Sequence, residues 1–219
     1  MSTKDLINSL EASHSANFGE SLIYPASPLY FLKAMREKIE VFLDGSQKTK
    51  AMRQVEFAQR RLREVASLIK HNRQDLIPPT LEQYKLHLQN VGNLTSRDED
   101  LQLSAGETVS SHLDVLEGFY GSTGEERAKQ AIRAAIVGAQ DFNSSLLKDL
   151  SLPKQQKLID KIAKPQALAC QFLMREASSE ALNDTERVDL GQKVTKCTED
   201  VRMNLKDKLE EILKSNKKL

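Results

Sequence analysis

The chain reads as all-α, an antiparallel helical bundle of about seven helices closed by a C-terminal helical hairpin. Three observations carry that reading. Apolar residues return at steps of three and four along most of the chain, and no stretch alternates with the period of two that a half-buried strand requires. Aromatic residues make up 5% of the 219 positions, Trp is absent, and glycines and prolines are few. Charged residues reach 29%, the profile of helices with solvated outer faces and seams of Leu, Ile, Val and Ala.

Residues 1–24 mix Ser, Asn, His and Gly around one apolar cluster, Leu6, Ile7 and Leu10, and are expected to form a flexible N-terminal segment. The lead-in YPASPLYFLK (24–33) follows. Pro28 suits a first helical turn with Ser27 as its N-cap. That helix is expected to reach Leu43, with Leu32, Met35, Ile39 and Phe42 on one packed face, and Asp44-Gly45-Ser46 ends it. A second helix, about 48–72, carries the cleanest stripe: Met52, Val55, Ala58, Leu62, Val65 and Ile69. Pro78-Pro79-Thr80 restarts the chain into a helix of about 79–92 bearing Leu81, Tyr84, Leu88 and Val91. The stretch from Asn93 to Ser104, with the acidic run Asp98-Glu99-Asp100, fits a loop or a helical extension.

Four further segments complete the count. Around 105–120, Val109, Leu113, Leu116 and Tyr120 form a stripe that stops at Gly121. Glu125-Glu126 give the next helix an acidic first turn, and Ala128, Ile132, Ala135, Ala139, Phe142 and Leu146 line it. Pro153 suits another first turn, and Pro165 within that helix predicts a kink or break. The last helix is expected from Asn183-Asp184 to about Lys214. Residues 25–92 and 105–219 are the candidate units, packed separately or as one domain.

The formal net charge is +1, from 32 basic and 31 acidic residues. So even a balance lacks the overall electrostatic footprint of a nucleic-acid or anionic-membrane binder. No apolar run approaches the roughly 18 residues a membrane span needs, and the first residues lack the layout of a signal peptide. The expectation is a soluble chain with no nucleic-acid partner and no membrane insertion. It is extracytoplasmic or of the cell envelope if a leader was removed, and cytoplasmic otherwise.

The two cysteines carry a register argument. Cys170 shares a stripe with Ala163, Ala167, Met174 and Ala177, and Cys197 one with Leu190, Val194, Val201 and Leu205. If Asn183-Asp184 is the bend of a hairpin, Cys170 lies 13 residues before Asn183 and Cys197 lies 13 after Asp184. Both thiols then sit at one level on facing seams. The alternatives are a disulfide and two reduced cysteines acting as small buried apolar residues. Register and stripe agree independently on the disulfide, which would contribute roughly 3 kcal/mol and argue for an oxidising compartment.

Reactive chemistry is not apparent. The histidines His14, His71, His87 and His112 show no paired ligand spacing, and the di-iron signature Glu-x-x-His occurs once, at Glu11 and His14. The acidic run at Asp98–Asp100 lacks the spaced ligands and turn glycine of a calcium loop. Ser110 and Ser111 beside His112 are adjacent in sequence without an elbow to present them. Asn93, Asn143 and Asn183 begin glycosylation-like triplets of a kind that short motifs match by chance. No catalytic, cofactor-binding or metal-binding residue is assigned.

The stretch from Tyr24 to Glu64 resembles a domain-of-unknown-function family of bacterial envelope proteins. That family has a Pro-x-x-Pro-Leu-Tyr-x-Leu-Lys lead-in followed by an Ala-x-x-Arg-Leu-x-Glu helix. Pro25, Pro28, Leu29, Tyr30, Leu32 and Lys33 match the first element, and Ala58, Arg61, Leu62 and Glu64 the second. The resemblance covers about residues 20–92. It implies no enzymatic activity and a place behind a signal peptide or membrane anchor, neither of which is visible here. The physics of the motif suits structure or partner binding, with Leu29, Tyr30 and Leu32 docking on the neighbouring helix while Lys33 and Arg61 seek carboxylates.

Together these readings favour a non-catalytic helical-bundle scaffold or protein-binding module of the bacterial cell envelope, with an unidentified protein partner. The alternative is a ligand- or metal-binding, or chaperone-like, periplasmic helical protein. An enzyme would need polar groups from separate helices converging on one pocket.

Overall fold

The computed structural model describes residues 21–179 and 182–216, and among them there is no strand. Helix α1 spans Tyr30–Leu43, α2 Gln47–Lys70, α3 Ile77–Thr95 and α4 Glu99–Gly121. Helices α5, α6 and α7 span Glu126–Asp149, Leu152–Ala177 and Asp184–Asp200. A π-helical turn, Val201–Leu205, carries α7 directly into α8, Lys206–Asn216, so the two make one rod. Leu6, Ile7 and Leu10, the Glu11–His14 spacing, and the basic end beyond Asn216 lie outside the described residues.

The helix ends follow local chemistry. Ser46 caps α2, its Oγ accepting the Thr49 N–H at 3.0 Å. At the other end Asn72 takes the left-handed conformation (φ 54°). The N–H groups of Asn72 and Arg73 then close onto the carbonyls of Ile69 and Leu68, the double bond of a Schellman cap. Asn183 and Glu186 form a reciprocal capping box at α7.

The acidic run resolves the ambiguity between 93 and 104. Helix α3 continues to Thr95, and the Asp98 side chain caps α4 by accepting the N–H groups of Asp100 and Leu101. Glu99 accepts the Ser151 N–H at 2.8 Å and its hydroxyl at 2.9 Å, and Lys154 pairs with Asp100 at 2.9 Å. The run therefore starts one helix and ties it to the start of α6. Pro165 lies inside α6 without ending it. Buried residues on both sides of it, Ile162, Ala163, Ala167 and Cys170, hold the two halves in one rod.

Helix α4 is the hub, packing on α2, α3, α5 and α6. The approach to α6 is close at Gly106: a Cβ added there would stand 2.8 Å from Leu158 and 3.1 Å from Leu146. One continuous apolar core joins α2 through α8, from Ala58, Leu62 and Val65 to Val201, Leu205 and Leu209. Within the α2 stripe Met52 departs from expectation, with 58% of its surface exposed at the rim of a cleft that it lines with Leu101, Ser104 and Thr108 of α4.

Two expectations about α1 are overturned. Its Leu32, Met35, Ile39 and Phe42 face outward, and Glu37 is the residue it buries. Opposing charges on α2 bind the polar face more directly than the bundle, already closed by α2 to α6, could bind another apolar one. Ser27 is not the cap either. It closes a turn onto Tyr24 and its carbonyl accepts the Tyr30 N–H, so the helix begins after Leu29, with Pro28 ahead of the first turn.

The Sγ atoms that the hairpin register placed opposite each other, Cys170 on α6 and Cys197 on α7, are 2.03 Å apart, with Cα atoms 5.8 Å apart. This is a disulfide bridging 27 positions of chain.

Candidate functional site

The motif residues converge between α1 and α2. Lys33 extends from α1 and uses all three of its ammonium donors. It reaches Glu64 Oε1 at 2.7 Å, the Ile23 carbonyl at 2.8 Å and Ser21 Oγ at 3.0 Å. Ser21 in turn gives its N–H to Ser67 Oγ on α2 at 2.8 Å. Tyr24 stacks on His71 with ring centroids 5.0 Å apart, which pins the lead-in to the end of α2.

Arg61, with 4% of its side chain exposed, is the centre of the cluster. One guanidinium nitrogen donates to the Tyr30 hydroxyl at 2.5 Å and lies 3.2 Å from Glu64 Oε2; the other reaches Glu37 at 2.5 Å. The Tyr30 hydroxyl passes its own proton toward Glu64 Oε2 at 3.3 Å. Two cations and two carboxylates therefore neutralise one another in a buried site, with Tyr30 as the neutral link. Outside them Arg60 pairs with Glu40 at 3.0 Å and Glu56 at 2.6 Å while lying over the Phe57 ring.

Burial sets the electrostatics. Loss of solvent raises the Glu64 carboxyl above its ordinary range, and Arg61 and Lys33 work against that rise. Burial, then the Glu64 charge, pushes the Tyr30 phenol up to about 12, so it stays a donor. His87 is pushed down to about 4 by burial and then by Arg61. Its Nδ1 donates to Gln54 Oε1 at 2.8 Å, and Asn90 donates to the same oxygen at 3.3 Å.

Beside the cluster, an open cleft of about 610 Å³ separates α1 from α2 and α3. Pro25, Ala34, Val41, Phe57 and Pro79 give it apolar walls, and Gln54, Gln83, His87 and Asn90 supply amides and imidazole. Arg61, Glu37 and Tyr30 also line it and bond one another through the two terminal guanidinium nitrogens, while the buried Arg61 Nε has no hydrogen-bond partner among the described residues. Nothing in that lining pairs a nucleophile with a base. Among the described residues no group of three or more His, Cys, Asp or Glu side chains is placed to hold a metal ion.

The remaining motif residues divide. Pro25 joins the cleft, whereas Pro28, Leu29 and Leu32 are exposed and do not dock on the neighbouring helix. Glu37 and Lys38 fit the helix between the two motif elements, while Glu40 and Arg60 stand outside the motif, although the acids Glu37 and Glu40, spaced three apart on α1 opposite paired arginines on α2, are visible in the sequence. A second node of similar make-up was not anticipated. Buried Arg133 donates to the Tyr120 hydroxyl at 3.0 Å and to Glu126 at 2.9 Å, and Tyr120 donates to Glu176.

Elsewhere the sequence candidates have structural roles. His112 is buried with Nδ1 3.1 Å from the Tyr84 hydroxyl, and Ser111 donates to the Thr108 carbonyl. Asn143 is wholly buried and out of reach of a glycan, and Asn183 is a cap.

Fold and site define a helical module in which an ion-paired arm lies over an open cleft. The chain belongs to the family described as Domain of unknown function (DUF5667), which matches residues 22–218. Family likeness thus runs through the C-terminal bundle and does not stop near residue 92. No curated protein and no solved structure matches the chain. No helix among the described residues is long and apolar enough to cross a membrane.

Proposed function

We propose that this chain is a non-catalytic binding module of the bacterial cell envelope that receives an extended segment of a protein partner in the cleft beneath α1. The observation that carries the reading is the convergence of Tyr30, Lys33, Arg61 and Glu64 into a self-neutralised cluster. It uses their charges to hold α1 in place and leaves none of them free for chemistry. The cleft it holds open has apolar walls and amide side chains, a mixture suited to a polypeptide backbone and small apolar side chains. The Cys170–Cys197 disulfide supports an oxidising compartment.

A photocrosslinking residue at Gln83 or Asn90, on the open side of the cleft, tests the reading in intact cells. The expected result is one specific protein adduct, absent when the same probe is placed at Lys129 on α5. Equal or no crosslinking at both places sinks it. The cleft also supports a second reading, a small-molecule carrier. Native mass spectrometry of the purified chain separates the two, since a stoichiometric bound ligand favours the carrier.

A further inference from the structure

The outer face of α1 is apolar. Phe31, Leu32, Met35, Ile39, Phe42 and Leu43 are exposed, Phe42 to 86%. At about 100° per residue these six side chains fill one arc roughly 120° wide. Arg36 borders the arc on one side and Lys38 on the other, both exposed. The acids of α1 leave this face: Glu37 is turned to Arg61 and Glu40 to Arg60, though Glu40 also tethers Arg36, whose side chain stays 72% exposed. Asp44, just past the helix, is held inward by Arg53. The exposed charges of α1 are therefore both basic: Arg36 and Lys38.

We propose that the outer face of α1 adsorbs to an anionic phospholipid bilayer. The helix lies in the plane of the interface, with Phe31 and Phe42 among the acyl chains and the long stems of Arg36 and Lys38 carrying their charges to the headgroups. Charge complementarity selects this occupant over a second copy of the chain. Two such faces laid together would bring basic borders against basic borders, and the one acid near them, Glu40, is already shared between Arg36 and Arg60. Shape agrees, because the face is a ridge along one helix, which a bilayer accepts and a flat protein surface does not. The overall charge balance is no obstacle, since adsorption reads the charges within a Debye length of the surface. None of the six apolar residues lines the cleft, although Lys38 at their border does, so the phenylalanine variant is the one that tests the bilayer apart from the partner reading.

Vesicle flotation of the full chain tests it, using phosphatidylcholine vesicles with and without phosphatidylglycerol. The chain is expected to float with the phosphatidylglycerol vesicles and to lose binding as salt rises. The double variant Phe31→Ser/Phe42→Ser is expected to partition at least roughly tenfold less, with an unchanged thermal melt. Arg36→Gln/Lys38→Gln is expected to lose the preference for phosphatidylglycerol. No binding at low salt, or undiminished binding by the phenylalanine variant, overturns the proposal. So does a chain that ignores vesicles but dimerises in solution and becomes monomeric in that variant, which would make a second copy the occupant.

Discussion

Glu64 is wholly enclosed on α2, and the ammonium of Lys33 on α1 meets its Oε1 at 2.7 Å. A carboxylate in that position is costly unless cations follow it inside, and two do, Lys33 and Arg61. The pair couples the lead-in, α1 and α2, because the same ammonium also bonds the Ile23 carbonyl.

Breaking this pair from one side strands a buried charge. Lys33→Met is expected to cost about 3 kcal/mol in urea unfolding. The double variant Lys33→Met/Glu64→Leu is expected to lose less than the sum of the two single changes. Additivity within about 0.5 kcal/mol would show that the two residues are not coupled.

The arrangement of α1 inverts the usual mutational pattern of an amphipathic helix. Met35→Ser and Phe42→Ser are expected to change stability by no more than about 0.5 kcal/mol, because those side chains already stand in water. Glu37→Ala, on the inward face, is expected to cost about 1–3 kcal/mol by leaving Arg61 short of a partner. Chemical denaturation of the three variants separates the two faces.

Acid sensitivity is expected from His112 and His87. Burial pushes His112 down to about 3; burial and then Arg61 push His87 down to about 4. Both lie below the ordinary value of 6.5, so the unfolded chain binds more protons. Their contribution is present above pH 6.5 and is lost as pH falls toward about 3–4. Imidazole NMR signals that do not titrate between about pH 8 and pH 5 check this for the folded chain. A midpoint near the ordinary value for either ring would contradict its burial.

Reducing the Cys170–Cys197 bond, or the Cys197→Ser change, is expected to lower stability by roughly 3 kcal/mol through the released loop. Intact mass without reductant is expected to be two hydrogens below the reduced value. A melting temperature indifferent to reductant would show that the hairpin is held by its apolar seam alone.

The helices were legible because Ala58, Leu62 and Val65, or Ile132, Ala135 and Ala139, repeat with the helical period and do enter the core. The cysteine pairing was legible because a hairpin turns equal sequence distances into equal heights. The orientation of α1 was not. Periodicity identifies an apolar face but not what it meets, and Leu32, Met35, Ile39 and Phe42 fit a core seam and an outward ridge equally well. The deciding signal was on the other side, where Lys33, Glu37 and Glu40 match Arg60, Arg61 and Glu64 across the turn. The Tyr120–Arg133 node depends on residues from three helices, and no local pattern joins them.

The continuous buried core begins at Ala58 and takes nothing from α1. Folding of the bundle and the character of the arm's exterior are therefore decoupled. The residues that anchor the arm, Tyr30, Lys33 and Glu37, occupy one side, and those it displays occupy the other. Substitutions on the display side, from greasy to polar or from basic to acidic, therefore change what the arm can meet while the interior keeps its shape.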